Sequence, residues 1–413
     1  MGVLSPYRVL DLAGEEGLFC GKILGDLGAD VIKIEPPRGD PARRIGPFYH
    51  DQIDDEKSLF WFAYNTSKRG VTLNLETADG REIFKKLVKK ADFVIETFRP
   101  GYLNRLGLGY ADLEKINPAL IMVSITPFGQ SGPYKDWKAP DIVAWGMGGD
   151  MAPFGDADRP PFRIGYHSQA YLCAGADGAI GALTALADRA QTGQGQQVDV
   201  SAQEAVMQNT EHITAGWDLA KRIRKRGRAD GAGPTTMQKM TRLWPCKDGY
   251  VSWFFWGGVM SVRTNTPLVK WMEAEGMSDE FLSGFDWNKF GDKTTQEEIN
   301  RLEAPVAKFF LAHTKKELFE GAVRTNTQVY PVSTPADMLA DEQLAARHFW
   351  VQVEHPELGT KITYPGPFAA SNEAPPVISR RAPLIGEHNL EIYESELGYT
   401  RAQLTALAEA GVI

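Results

Sequence analysis

An α/β fold with a mostly parallel, doubly wound sheet is predicted by three observations. Strands alternate with amphipathic helices through the first half of the chain, the composition is of ordinary globular type, and the sequence turns aromatic and β-branched after Thr241. Arg8 to Ala13 reads as a short buried strand, Leu18 to Leu27 as a helix ended by Gly28, and Asp30 to Glu35 (DVIKIE) as a second strand closed by Pro36-Pro37. That β-α-β pattern recurs: Val71 to Leu75 as strand, Gly80 to Lys90 as amphipathic helix, Phe93 to Glu96 as strand, a helix near Leu113, and Leu120 to Ile125 as strand.

The run Gln169 to Ala190 is rich in Ala, Gly and Leu and predicts a buried central helix whose small residues allow another backbone to come close. A polar turn at Thr192 to Gln196, a strand at Gln197 to Val200 and a helix from Ser201 follow, with Glu204 at capping-box spacing. These elements place the first part of a large domain at 1–220, and the basic, glycine-bearing stretch at 221–240 is expected to be a linker. Thr241 to Ser261 predicts a hairpin around Lys247-Asp248-Gly249 that opens a smaller α+β domain at 241–330. In 331–413 one helical pattern after Pro335 precedes strands between Trp350 and Phe368 with turns at Pro356 to Gly359 and Pro365 to Pro367.

The 413 residues, 43% hydrophobic and 24% charged, are enough for a sizeable core of about two to three domains, and they exclude a disordered, collagenous or coiled-coil chain. The formal charge of −8 disfavours nucleic acid or an anionic membrane as partner, so a phosphorylated ligand needs a local basic site. Cys20, Cys173 and Cys246 form no CxxC or Cys/His cluster, which predicts a reducing, cytoplasmic setting and no metal. Early charges and the lack of 18 unbroken apolar residues predict neither signal peptide nor membrane span.

No GxSxG, P-loop, HExxH or strand-bound GxGxxG motif occurs, which removes the commonest hydrolase, kinase and dehydrogenase readings. The GMGG run at Gly146 to Gly149 reads as a loop or a close-packing site. Arg43, Lys68, Arg69, Arg99, Arg105 and Lys138 fall near the ends of predicted elements in the doubly wound part, where phosphates bind in such folds. Of the histidines only His167 lies beside the small-residue helix.

The segments VLDLAGEEGLFCGKILGDLGADVIKIEPPRGDPAR, ADFVIETFRPGYLNRLGLGY, ALADRAQTGQGQQVDVS and PLIGEHNLEIYESELGY, in this order and nearly end to end, resemble the class III coenzyme A transferases of the formyl-CoA and carnitine CoA-transferase type. The resemblance implies a Rossmann-like large domain built from both chain ends, a small domain between them, and two subunits threaded through one another. It implies CoA or acyl-CoA as substrate, with no tightly bound cofactor. Active members use one aspartate, which attacks the thioester to give a mixed anhydride and free thiolate, then an aspartyl-CoA thioester; a dry, oriented site protects these intermediates.

Carried over by motif, Arg43 and Arg105 are expected to meet CoA phosphates, Leu73 and Asn74 to flank the adenine, Thr97 and Phe98 to border the pantetheine arm, and Lys138 to line its entrance. Thr97 replaces an asparagine common in the family, Pro140 stands where a tyrosine or a racemase histidine is found, and the loop after the first strand reads Gly14-Glu15-Glu16-Gly17 in place of a glutamine loop. The nucleophile position falls on Ala170 counted from Arg163-Ile164-Gly165, or on Tyr171 counted back from GALTAL, and neither is a carboxylate. No catalytic residue is therefore assigned. The expectation is a catalytically silent subunit, paired with a homologous subunit that carries the aspartate, and most like the larger subunits of the heteromeric benzylsuccinate enzymes of anaerobic toluene degradation, which take succinyl-CoA. Alternatives are an active CoA-dependent enzyme using His167, Tyr171 or Asp177, a non-enzymatic CoA-binding assembly protein, and an engineered aspartate-to-alanine variant of an active homomer.

Overall fold

The computed structural model describes residues 2–155, 159–166, 168–209, 211–221, 223, 239–291 and 293–413. The chain forms two compact units: 1–151, 163–214 and 343–413 in the first, 152–162 and 215–342 in the second. Most of the expected linker at 221–240, and His167, lie outside the described residues.

In the first unit six parallel strands stand in the order β3-β2-β1-β4-β5-β6: β1 Arg8–Asp11, β2 Asp30–Glu35, β3 Lys68–Thr72, β4 Phe93–Glu96, β5 Ile121–Thr126 and β6 Gln197–Ser201. Such strands are buried on both faces and read as continuous apolar runs, which is how IMVSIT of β5 behaves. Successive residues serve opposite layers. Val9, Val31, Ile95 and Ile125 join the layer that holds α1 (Leu18–Asp26), whereas Leu10, Ile32, Val94 and Met122 join the layer that holds α3 (Ala78–Val88). The helix α2 (Leu59–Tyr64) lies between them in sequence, and short helices α4 (Tyr102–Arg105) and α5 (Tyr110–Leu113) follow β4.

Beyond β5, α6 (Asp141–Met147) leads to the long α7 (Gln169–Thr192) and α8 (Ala202–Gln208). By length and composition α7 is apolar enough to cross a membrane, but its Ala/Gly face packs on α1 and the sheet. A Cβ on Gly178 would stand 2.9 Å from Ile125 Cδ1 and 3.3 Å from Cys20 Sγ, so the absence of a side chain sets how closely α7 approaches. Gly148 likewise packs on Val206, the close-packing role expected within the GMGG run.

The third strand begins three residues earlier than the sequence pattern predicts, because Lys68 and Arg69 are buried strand residues held by carboxylates. Lys68 Nζ is held by Asp11 at 2.8 Å, and Arg69 binds Asp30, Glu391 and Glu396. Both are structural, not phosphate ligands. Along this edge run residues from the other end of the chain: the Tyr393 hydroxyl donates to the Thr72 carbonyl at 2.8 Å, and the Thr72 N–H donates to Asn389 at 2.9 Å. The edge is thereby covered. An antiparallel hairpin, Trp350–His355 with Thr360–Pro365, belongs to the same unit. The single helix expected after Pro335 is two short ones, Pro335–Leu339 and Glu342–Ala346.

The second unit takes in the latter part of α9 (Glu211–Ala220) and holds a three-stranded antiparallel sheet, β7 (Leu243–Cys246), β8 (Gly249–Ser252) and β9 (Tyr330–Pro331). The predicted hairpin turn at Lys247-Asp248 joins β7 to β8. Around it pack α10 (Ser261–Ala274), α11 (Glu280–Ser283), α12 (Gln296–Ala312) and α13 (Lys315–Thr325). The aromatic run after β8 alternates. Trp253 and Phe255 enter the core beside Trp244 and Phe310, while Phe254 and Trp256 stack on each other at 4.7 Å on the half-exposed side.

Two residues at the carboxyl ends of strands give testable consequences. Arg43 is fully buried, with Nε and Nη2 on the Glu35 carboxylate at 2.6 and 2.8 Å, so Arg43→Met leaves a buried carboxylate unpaired. It should lower the urea-unfolding free energy by about 3–5 kcal/mol, with partial recovery in the double variant that adds Glu35→Gln. A loss below about 1 kcal/mol, as for an exposed pair, would contradict this. Glu96 ends β4 with its side chain buried; burial, opposed by hydrogen bonds from Ser124 and the Phe98 N–H, pushes its carboxyl up to about 7 from 4.5. The folded state then holds a proton that the unfolded chain has released, so stability should fall as pH rises from 4.5 through about 7, by on the order of 3 kcal/mol. Urea midpoints across this range should slope downward in the wild type and flatten in Glu96→Gln; parallel slopes would refute the assignment.

Candidate functional site

A cavity of about 610 Å³ opens at the carboxyl ends of β1 to β4, lined by the loops that follow all four strands. Parallel sheets place ligands there because chain order reverses between β1 and β4, which separates the outgoing loops and leaves a crevice. Leu73, Asn74, Thr97 and Phe98 all line it, together with Gly14, Glu15, Glu16, Pro36, Glu76 and Tyr102.

Each wall is fixed by local bonds. Asn74 bridges to the C-terminus, with its N–H on the Val412 carbonyl at 2.7 Å and Nδ2 on the Gly411 carbonyl at 3.2 Å, so its loop cannot drift. The Gly14 N–H donates to Thr97 Oγ1 at 2.9 Å, tying the β1 loop to the β4 loop. Phe98 lies against Tyr102 with ring centroids 4.7 Å apart, and the Tyr102 hydroxyl donates to Glu76 at 2.5 Å. Of this aromatic wall Phe98 was singled out from the sequence and Tyr102 was not. Its signal is the Phe-x-x-x-Tyr spacing across the turn into α4.

The ionisable groups of the lining include five carboxylates, Glu15, Glu16, Glu35, Asp40 and Glu76, of which two are paired with cations. Glu35 is held by Arg43, and Asp40 by the buried ammonium of Lys33 at 3.1 Å, which also donates to the Ala13 carbonyl at 2.5 Å. Burial raises the Glu16 carboxyl above its ordinary range, which favours its neutral form. Arg43 itself does not line the cavity. Its guanidinium binds Glu35, Glu56 and the Pro383 carbonyl and lies 3.9 Å over Trp61, so it supports the floor from beneath in place of the expected phosphate contact. Arg105 and Lys138 are exposed, and the Arg105 guanidinium lies 5.5 Å over the Tyr102 ring at the cavity wall. Arg99 donates to the Asp136 carbonyl at 2.9 Å.

The first turn of α7 carries the positions where the nucleophile was sought. Ala170 is completely buried, and its N–H donates to Asp141 Oδ1 at 2.7 Å; Asp141 Oδ2 in turn takes Arg163 at 2.8 Å. Tyr171 is buried with its hydroxyl donating to the Ala139 carbonyl, and burial pushes the phenol far up, out of reach of a nucleophilic phenolate. Ser168 bonds Glu15. Neighbouring carboxylates thus already occupy the positive end of the helix, where an anion is most stabilised. Asp177 lies two turns further on and does not line the cavity, although burial raises its carboxyl. Among the described residues no cluster suited to a metal ion exists and the three cysteines are free.

Comparison with known proteins agrees with this layout. The family model of CoA-transferase family III matches residues 4–389. Subunit BbsE of succinyl-CoA:(R)-benzylsuccinate CoA-transferase from Thauera aromatica is 38% identical over 413 residues, covering 99% of this chain and 98% of the relative. Succinyl-CoA–D-citramalate CoA-transferase and the beta subunit of succinyl-CoA–L-malate CoA-transferase, both from Chloroflexus aurantiacus, are 33% and 30% identical, each over 99% of this chain and 98% of the relative. A solved CAIB/BAIF family protein from Brucella suis superposes with a TM-score of 0.81 at 28% identity, over 95% of this chain and 99% of that one. With a parallel sheet of this order and a cavity at its carboxyl edge, the chain belongs to CoA-transferase family III.

Proposed function

We propose that this chain is the nucleophile-free subunit of a heteromeric CoA-transferase that moves CoA from succinyl-CoA to a carboxylic acid of the benzylsuccinate class. The observation that carries the reading is the first turn of α7, where Ala170 and Tyr171 present no carboxylate and Asp141 and Glu15 close off the helix end. A partner of the same family supplies the aspartate, in line with two relatives that are by name subunits. Exposed apolar side chains on the first unit, among them Ile53, Trp137, Ile142, Tyr166 and Ile180, fit a partner surface.

In this reading the cavity holds CoA without turning it over. Its inner aromatic wall at Thr97 and Phe98 suits the pantetheine arm, Leu73 and Asn74 flank the adenine, and the exposed Arg105 and Lys138 meet the phosphates. The half-exposed stack of Phe254 and Trp256 offers an apolar face to an aryl or alkyl acid. The free cysteines fit a reducing, cytoplasmic compartment.

The test is intact-mass spectrometry of the chain after incubation with succinyl-CoA and then hydroxylamine. No hydroxamate and no CoA adduct should appear on this chain, because anhydride chemistry needs a carboxylate that α7 does not present. A reproducible adduct here would overturn the proposal.

A further inference from the structure

Glu16 stands apart from the other carboxylates that line the cavity at the carboxyl ends of β1 to β4. Glu35 meets Arg43, Asp40 meets Lys33, Glu15 takes the Ser168 hydroxyl and Glu76 takes the Tyr102 hydroxyl. Among the described residues no cation pairs with Glu16, and the donor that its carboxyl meets is its own backbone N–H. The carboxyl is nonetheless held in place by the loop that carries it. The Gly14 N–H donates to Thr97 Oγ1 at 2.9 Å, and Gly17 packs so tightly that a Cβ there would stand 2.6 Å from Thr97 Cγ2 and 2.8 Å from Ala13 Cβ. Glu16 Oε2 and Thr97 Oγ1 lie 3.4 and 3.6 Å from the place a Gly14 Cβ would take, so carboxyl and hydroxyl are neighbours on the cavity wall.

The titratable groups that face Glu16 are all acidic. Glu15 comes from the same loop, Asp40 from the loop after β2, and the Tyr171 phenol from α7. The cations at this edge are engaged elsewhere: Lys33 by Asp40 and the Ala13 carbonyl, Arg43 by Glu35 and Glu56, and Lys68 by Asp11. An ionised Glu16 has no counter-ion here, and burial, followed by the charges of Glu15 and Asp40, favours the protonated acid. A protonated carboxyl offers one O–H donor. These acidic surroundings disfavour an anionic acceptor, and Leu12, Ile34, Leu73 and Phe98 make much of the remaining wall apolar. The acceptor that fits is an uncharged carbonyl oxygen.

We infer that Glu16 is a proton-carrying binding residue of the cavity, donating its carboxyl O–H to an amide or thioester carbonyl of the bound ligand, so that ligand and proton are bound together. The assignment rests on the reading of the cavity proposed above, since an acyl-CoA carries amide carbonyls along its arm and a thioester at its end. Covering Glu16 with ligand and giving its O–H an acceptor act in the same direction, both favouring the protonated form in the complex. The carboxyl then ionises at a higher pH in the complex than in the free chain. Affinity is greatest below the pH at which the free chain ionises, and it falls as pH rises from there through the higher value of the complex.

The experiment is calorimetric titration of the full-length chain with CoA and with succinyl-CoA, from about pH 5 to about pH 8, in buffers of different ionisation enthalpy, which count the protons taken up on binding. Above the pH at which the free carboxyl ionises, the wild type should take up close to one proton more per ligand than Glu16→Gln, whose amide keeps a donor and does not titrate. Comparing the two cancels the protons exchanged by the ligand's own phosphates. Over the same range the wild-type affinity should fall relative to Glu16→Gln by up to about tenfold per pH unit. At the acid end Glu16→Gln should bind within about threefold of the wild type, whereas Glu16→Ala should bind roughly tenfold more weakly for want of the donor. Extra uptake with both ligands assigns the acceptor to an amide of the arm; extra uptake with succinyl-CoA alone assigns it to the thioester. Equal proton uptake by wild type and Glu16→Gln, with binding intact, would overturn the role of Glu16 and leave the cavity as a CoA site. Absence of binding by either chain would overturn the CoA site and the role of Glu16 with it.

Discussion

The structure of the first unit depends on charge buried at the carboxyl edge of its sheet. Arg43 with Glu35, Lys33 with Asp40, and Lys68 with Asp11 are all withdrawn from water, where each unpaired ion would cost several kcal/mol. Each pair is completed by further acceptors: the Pro383 carbonyl for Arg43, the Ala13 carbonyl for Lys33, and the Leu18 carbonyl and the Asn65 side-chain oxygen for Lys68. Because such pairs tolerate little displacement, they bind the β1, β2 and β3 loops to one another and to the returning C-terminal segment. Glu56 extends the same network by accepting the Ile385 N–H at 2.8 Å, and Trp61 donates to the Pro383 carbonyl at 3.1 Å. The cavity wall inherits its rigidity from this network.

The same network offsets part of the negative charge that lines the cavity. Glu35 and Asp40 are neutralised from behind, Glu76 takes a phenol hydroxyl, and Glu16 is driven toward its neutral form by burial. What remains is a largely apolar slot, with the exposed Arg105 lying over the Tyr102 ring of its wall. At the start of α7, by contrast, Asp141 accepts the Ala170 N–H and Glu15 accepts the Ser168 hydroxyl just before the helix. The family framework is kept, and neither Ala170 nor Tyr171 in the first turn of α7 is a carboxylate.

Much of this was legible in the sequence. The strand and helix alternation, the switch to an aromatic second unit, and the placement of Leu73, Asn74, Thr97 and Phe98 along one cavity follow from pattern and family resemblance. The start of β3 and the role of Arg43 did not, for one physical reason. Local pattern treats Lys68, Arg69 and Arg43 as solvent-seeking, whereas tertiary partners far away in sequence bury them. The clue was present in DVIKIE, where Lys33 and Glu35 interrupt an otherwise apolar buried strand. An ion in such a position demands a partner, and that partner can be inferred but not located from sequence.

The most direct measurement is transferase activity after co-expression of this chain with a family member that keeps the aspartate, purified as one complex by size-exclusion chromatography. The account predicts CoA transfer only from the mixed complex, and its loss when the partner's aspartate is replaced by asparagine. Full activity from this chain purified by itself would contradict it.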